Sequence, residues 1–189
     1  RMSALLVAYM LISVFASTLT VSDPQWWEYH FSQLGPFGDA SASLFNVTLS
    51  VAGGLVVAFA IYIARDRQLL VDRGVLTRAR TPRIVSTAFV IMGIMLSGVG
   101  AVSVAINEPI HIAFASGMFV VFIVMLIAGR WLFDGLPLTV HIVTWGFLAA
   151  ILVTVVLFFP IGYFNLTALE LVAFGLIFGW TVVLIRSQP

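Results

Sequence analysis

Apolar residues in this chain come in long uninterrupted runs, not in alternation. Six stretches, 2–21, 44–63, 84–106, 110–129, 136–159 and 164–185, reach the roughly 20 residues that a helix needs to cross a hydrocarbon core of about 30 Å. None holds Asp, Lys or Arg, and Glu170 is their one carboxylate. Backbone groups in lipid must find partners within a helix or a closed barrel. Barrel strands would show about 10 residues of alternating polarity, which these runs lack. The pattern predicts an all-α polytopic integral membrane protein, a six-transmembrane-helix bundle forming a single domain over residues 1–189.

Charge then sets the orientation. All nine basic residues are Arg. With the N-terminus in the cytoplasm, Arg1, Arg65, Arg67, Arg73, Arg78, Arg80, Arg83, Arg130 and Arg186 all fall on the inner side, and none falls outside. The positive-inside rule weighs such residues in short loops, so both N- and C-termini are predicted to be cytoplasmic. Trp26, Trp27, Tyr29 and Tyr163 lie near the outer boundary and Tyr62 and Trp131 near the inner one, as interfacial aromatics do. The first run exceeds the usual length of a signal-peptide core and no A-x-A site follows it, so it is predicted to be a retained helix.

Composition narrows the function. Hydrophobic residues make up 61% of the chain and charged ones 9%, against roughly 25% charged in soluble domains. A soluble enzyme, a disordered chain and a nucleic-acid-binding protein are excluded. Without cysteine there is no disulfide framework, thiolate zinc site, iron–sulfur cluster or cysteine nucleophile. The span middles carry no charged groups, unlike a transporter pathway.

Two loops are long. The outer one, 22–43, is punctuated by Pro24, Gly35, Pro36 and Gly38, with room for a short interfacial helix or strand over 25–33. The inner one, 64–83, sets six Arg against Asp66 and Asp72. That loop holds the orientation, and Arg65, Arg67, Arg73, Arg78, Arg80 and Arg83 are candidates for contact with anionic lipid, each worth about 1 kcal/mol near a membrane surface. Helices in lipid associate through small residues. The candidate packing stripes are Asn46, Ser50, Gly54 and Ala58 on the second span, Gly93, Ser97 and Ala101 on the third, and Gly175 with Gly179 on the sixth.

Polar groups gather at the outer end. Asn46 begins the second span, Glu108 and His111 open the fourth, and Glu170 lies six residues into the last. The outer loop can fold over them with Glu28, His30, Ser32, Gln33 and Asp39. Ionisable groups within a membrane mark candidate functional sites, so Ser32, Asn46, Glu108, His111 and Glu170 are the candidate lipid or small-molecule pocket. Each also has a structural role open to it: Pro109 and Glu108 suit a helix start, and Asn46 suits a cap. His30, His111 and carboxylates are zinc-ligand types, but no H-E-x-x-H spacing supports them, and no metal or cofactor is predicted. No G-x-S-x-G is present. His141, near the inner end of the fifth span, reads as a helix–helix hydrogen bond. Two glycosylation-like triplets, at Asn46 and Asn165, lie at the membrane boundary and are read as coincidence.

Four passages together resemble a known family. Ser32-Gln33-Leu34-Gly35-Pro36 followed by Phe45-Asn46, Arg83-Ile84-Val85-Ser86 through Gly93 and Gly98, His111-x-x-x-Ala115-x-x-x-x-Val120, and Leu169-Glu170 with Trp180 resemble motifs of the six-helix superfamily containing the damage-regulated autophagy modulators. Within it they look closest to the prokaryotic domain-of-unknown-function family 998. The resemblance implies six helices with both ends cytoplasmic, places Ser32, Asn46, His111 and Glu170 at family positions, and links relatives to lipid handling and membrane-bound partners. It brings no catalytic residues.

The functional expectation is a non-catalytic multi-pass protein of a prokaryotic cytoplasmic (plasma) membrane. It binds membrane lipid or a membrane-protein partner through the outer pocket and the bundle surface, with self-association through the Gly175 and Gly179 face also open. The alternatives are a lipid-modifying enzyme using Glu170 and His111 as acid and base, residue types that exchange protons near neutral pH when suitably buried, and an accessory subunit of a larger membrane complex.

Overall fold

The computed structural model describes residues 2–36, 38–75, 78–133 and 136–186. Arg1, one of the orienting charges, lies outside them. Among the described residues every regular element is helical: α1 (Met2–Thr20), α2 (Ala40–Asp72), α3 (Thr81–Ala101), α4 (Val104–Ile127), the short α5 (Gly129–Leu132), α6 (Leu138–Phe158) and α7 (Leu166–Arg186). Two short turns of tight helix, Trp26–Glu28 and Phe31–Leu34, occupy the loop before α2. That resolves the helix-or-strand choice in favour of helix.

Five of these helices, α2, α3, α4, α6 and α7, are long and apolar enough to cross a membrane; the described apolar stretch of α1, Val7–Thr20, is shorter. Large apolar side chains cover their outer faces. Leu11, Ile12, Phe15 and Leu19 on α1 and Ile142, Trp145, Leu152 and Val153 on α6 are all more than half exposed. Contiguous apolar surface on this scale is unfavourable in water and costs nothing against lipid tails. The chain is an integral membrane protein.

Local chemistry sets the helix ends. Asp39 caps α2, accepting the Ala42 N–H at 2.8 Å, and its other oxygen accepts the Ser22 hydroxyl at 2.6 Å. An N-cap carboxylate of this kind stabilises a helix by about 1 kcal/mol. Asn165 caps α7 through the Ala168 N–H. In α4 the helix breaks at Asn107 (φ −160°, ψ 97°) and restarts, with the Asn107 side chain accepting the Ile110 N–H at 3.1 Å. Glu108 and Pro109 fall in that restarted first turn, as the sequence suggests.

α2 departs from expectation. Its 33 residues measure about 50 Å at 1.5 Å per residue, well beyond the hydrocarbon core. Half of the predicted inner loop, through Asp72, is therefore helix. Its buried face runs Ala60, Ile63, Arg67, Leu70, a three-four spacing that continues the transmembrane stripe past the last uncharged turn. The helix stops where Gly74 adopts a left-handed φ of 73°, a conformation that favours glycine.

The α2–α3 contact is the closest in the bundle. A methyl on Gly53 would collide with the Gly93 carbonyl, and one on Gly93 would come within 2.7 Å of the Gly53 carbonyl. Ser97 Oγ donates to the Ser50 carbonyl and Ser86 Oγ to that of Ala60, each at 2.9 Å. The seam on α2 is thus Asn46, Ser50, Gly53, Val57, Ala60, whereas Gly54 has open space beside it. The predicted four-residue stripe fails because each step of four turns about 40° beyond a full turn; Gly54 and Ala58 have rotated out of the interface. On α3, Gly93 and Ser97 hold their predicted places, but Gly100, not Ala101, completes the seam. Gly175 meets nothing within 4 Å, and Gly179 packs on Phe147.

Trp180 anchors the other half of the bundle. It is 1% exposed, with Phe89 stacked at 6.5 Å, Phe122 edge-on at 5.6 Å and Phe133 at 5.7 Å. Its indole N–H reaches Thr144 Oγ1 at 3.2 Å, so the one polar atom of the ring is satisfied.

Candidate functional site

At the end of the bundle that carries the 22–39 loop, the helices do not close on one another. A cavity of about 340 Å³ remains between α2, α3, α4, α6 and α7, within the range of small-molecule sites. Its walls are apolar, with Leu49, Leu96, Met118, Phe119, Phe174 and Ile177 among them. Ser32, Ser116 and Glu170 supply the polar groups. The pocket expected from the sequence to be polar is therefore an apolar chamber with a polar edge.

The loop reaches this cavity through Phe31. That ring is 5% exposed, packs edge-on against Phe45 at 5.2 Å and lies 5.9 Å from Phe174, which fixes it between α2 and α7. Its backbone N–H donates to Glu170 Oε2 at 2.6 Å, and the Ser32 N–H also bonds this carboxylate. Two further ties flank the latch. Asn46 Nδ2 donates to the Gly35 carbonyl at 2.9 Å, and Asn165 Nδ2 to that of Trp27 at 2.7 Å. The Glu170 carboxyl group thus serves as an acceptor for loop amides.

The sequence-selected residues divide into two groups. Ser32 and Glu170 share the cavity, with Asn46 holding the loop beside it. His111 and Glu108 lie apart from it with His30. His111 is 4% exposed, and its Nδ1 lies 2.8 Å from the Val102 carbonyl. A carbonyl only accepts, so Nδ1 carries a proton, and the buried Nε2 has no hydrogen-bond partner among the described residues. His30 sits close enough to feel its neighbours: burial first, then the His111 imidazole, hold it below the ordinary histidine value, while Glu108 opposes them. Among the described residues no hydrogen bond joins Glu170 to His111, and no group of three metal-ligating side chains converges.

The arginines also divide. Arg65, Arg73, Arg78, Arg80 and Arg83 are exposed, but Arg67 is fully buried, its guanidinium 4.7 Å from the Phe133 ring centre. Its three nitrogens have no hydrogen-bond partner among the described residues. Arg67 therefore does not face lipid head groups as the sequence reading expected; its place on the Ile63–Arg67–Leu70 face turns it inward.

Sequence reasoning missed Phe31, Phe45, Phe119 and Phe174 as site residues. A lone Phe among apolar neighbours gives no signal of which cavity it lines; only Phe31, beside Ser32 in a polar loop, stood out from its surroundings. No protein-family model, curated protein or solved structure matches this chain.

Proposed function

We propose that this is a non-catalytic six-span membrane protein, both ends cytoplasmic, that holds the apolar chain of a membrane lipid in the loop-end cavity. The carrying observation is the pairing of an apolar chamber of about 340 Å³ with a polar edge of Ser32, Ser116 and Glu170, which matches an amphiphile. Arginine placement supports an orientation with this cavity in the outer leaflet, and a plasma-membrane location is part of the proposal. The resemblance to the autophagy-modulator superfamily, whose relatives handle lipid, is in keeping with this reading and forms part of the proposal. An acid–base role for Glu170 and His111 has less support, because each is committed to backbone groups of its own surroundings.

Native mass spectrometry of protein purified in mild detergent tests the proposal. Wild type is expected to retain lipid. Ala173→Phe, which fills a cavity wall, is expected to lose it, and Leu152→Phe, on the exposed face of α6, to keep it. A wild-type protein that carries no lipid and is equally stable after delipidation would overturn the reading.

A further inference from the structure

The loop-end cavity is closed on one side and open on another. Phe31, Ser32 and Phe45, which line it under the 22–39 loop, are all buried, and that loop is tied down to Glu170, Asn46 and Asn165. Ser116 and Phe159 line the same cavity, yet both are exposed. Ser116 lies between Ile112 and Val120 at four-residue spacing on α4, so the three share a helix face, and both neighbours are more than half exposed. On α6, Leu152 and Val156 are exposed and lead to Phe159. These are the faces that an integral membrane protein turns to hydrocarbon. The cavity therefore opens sideways, between α4 and the end of α6, and not through the loop.

The surroundings of that opening identify what fills it. Wall atoms without neighbours forfeit their dispersion contacts, and the medium at the mouth is acyl chain. Size sets how much enters. A cavity of about 150 Å³ takes a benzene ring, so one of about 340 Å³ takes on the order of a dozen carbons by the same measure: one chain, not two. Glu170 and Ile177 both line the cavity, and their separation along α7 is about 10 Å at 1.5 Å per residue, a narrow chamber running down the helix. A water-borne amphiphile would have to displace the Phe31 ring and break the loop ties, whereas a lipid already in the bilayer meets no such barrier.

We infer that the occupant is a two-chain bilayer lipid seated sideways: one acyl chain passes between α4 and α6 into the cavity, while the head group and second chain stay in the bilayer along the exposed faces of Ile112 and Leu152. This seat rests on the reading of the cavity as a lipid site and adds the class of lipid and its route. Ser116 on α4 and Val155 on α6, both lining the cavity, form the two lips of the opening and determine what passes.

The test places the full-length protein in phosphatidylcholine nanodiscs with one of two probes, a phosphatidylcholine or a lysophosphatidylcholine, each carrying a diazirine on an acyl chain. After irradiation the adducts are mapped by mass spectrometry. The two-chain probe is expected to label cavity residues such as Met118 and Ile177 in wild type. Ser116→Phe is expected to cut that labelling roughly tenfold, the effect of about 1.4 kcal/mol of crowding at the lip; Val155→Phe, which narrows the other lip, is expected to do the same and stands in if the first variant fails to fold. Val120→Phe, on the same exposed stripe but outside the cavity, is expected to label as wild type. So is Asn165→Asp, which keeps the acceptor that caps α7 but gives up the donor to Trp27. Absence of cavity adducts with either probe would overturn the lipid reading itself. Cavity adducts from lysophosphatidylcholine alone, labelling that Ser116→Phe and Val155→Phe leave unchanged, or labelling that Asn165→Asp raises would each leave a lipid site standing and overturn the sideways seat.

Discussion

Replacing Glu170 by Ala removes the acceptor that the Phe31 and Ser32 amides share. An intramolecular hydrogen bond contributes about 0.5–1.5 kcal/mol net, so the pair comes to about 2 kcal/mol. The loop keeps its other anchors, Asn46 on Gly35, Asn165 on Trp27, and the buried Phe31 ring, so the bundle stays folded and the loop opens more often. The reporters are the Gln33 and Gly35 amides, which bond within the Phe31–Leu34 turn at 3.0 Å and do not touch Glu170. Their hydrogen exchange is expected to quicken roughly 30-fold, the equivalent of about 2 kcal/mol. Glu170→Gln, which keeps one oxygen acceptor, is expected to show about half that free-energy change. Unchanged exchange at Gln33 and Gly35 in Glu170→Ala would refute the latch.

Four further outcomes follow from the packing and the charges. Gly53→Ala drives a methyl into the Gly93 backbone and is expected to cost about 1–3 kcal/mol, whereas Gly54→Ala, in open space, gains helix propensity and is expected to be neutral or stabilising by up to about 1 kcal/mol; equal melting temperatures in detergent would contradict the seam. Arg67→Met trades a cation–π contact of about 2 kcal/mol for release from a desolvation cost of several kcal/mol, so stability is expected to hold or rise, and a loss above about 2 kcal/mol would disprove the unpartnered state. His30 has its pKa lowered in the fold, so the unfolded chain binds the proton first; stability is full above the ordinary histidine value and falls as pH drops toward the depressed one. Melting at pH 7.5 and 5.5 measures this, and the slope must shrink in His30→Gln. Because the chain lacks cysteine, single cysteines at the exposed Gln25 and Ala79 report topology cleanly: an impermeant maleimide on intact cells is expected to label the first and spare the second.

The sequence discloses the architecture because solvent dictates it: a run such as 138–158 has no stable place other than a lipid-facing helix. Caps are only partly legible: Asn46 suits a cap in the sequence, but α2 starts six residues earlier, at Ala40, with Asp39 as the acceptor, and Asn165 caps α7 from within what reads as a glycosylation triplet. Rotation about a helix axis is less so. Gly53 and Gly54 are indistinguishable in a one-dimensional pattern, and only the accumulated register of Asn46, Ser50 and Ala60 decides which meets α3. Arg67 misleads for a related reason: composition places arginines at a membrane surface, but the three-four spacing of Ile63, Arg67 and Leu70 already carries it inward. Of the outer-end polar residues, chain order shows their shared depth but not their azimuth, so Glu170 joining Ser32 while His111 faces His30 emerges only from the folded bundle.

The most direct test of the account is an experimental density map of the protein in lipid nanodiscs. Elongated density is expected among α2, α4, α6 and α7, bounded by Phe119 and Phe174 and ending beside Ser32 and Glu170. A loop-end chamber closed by repacked side chains, or one holding only water, would contradict it.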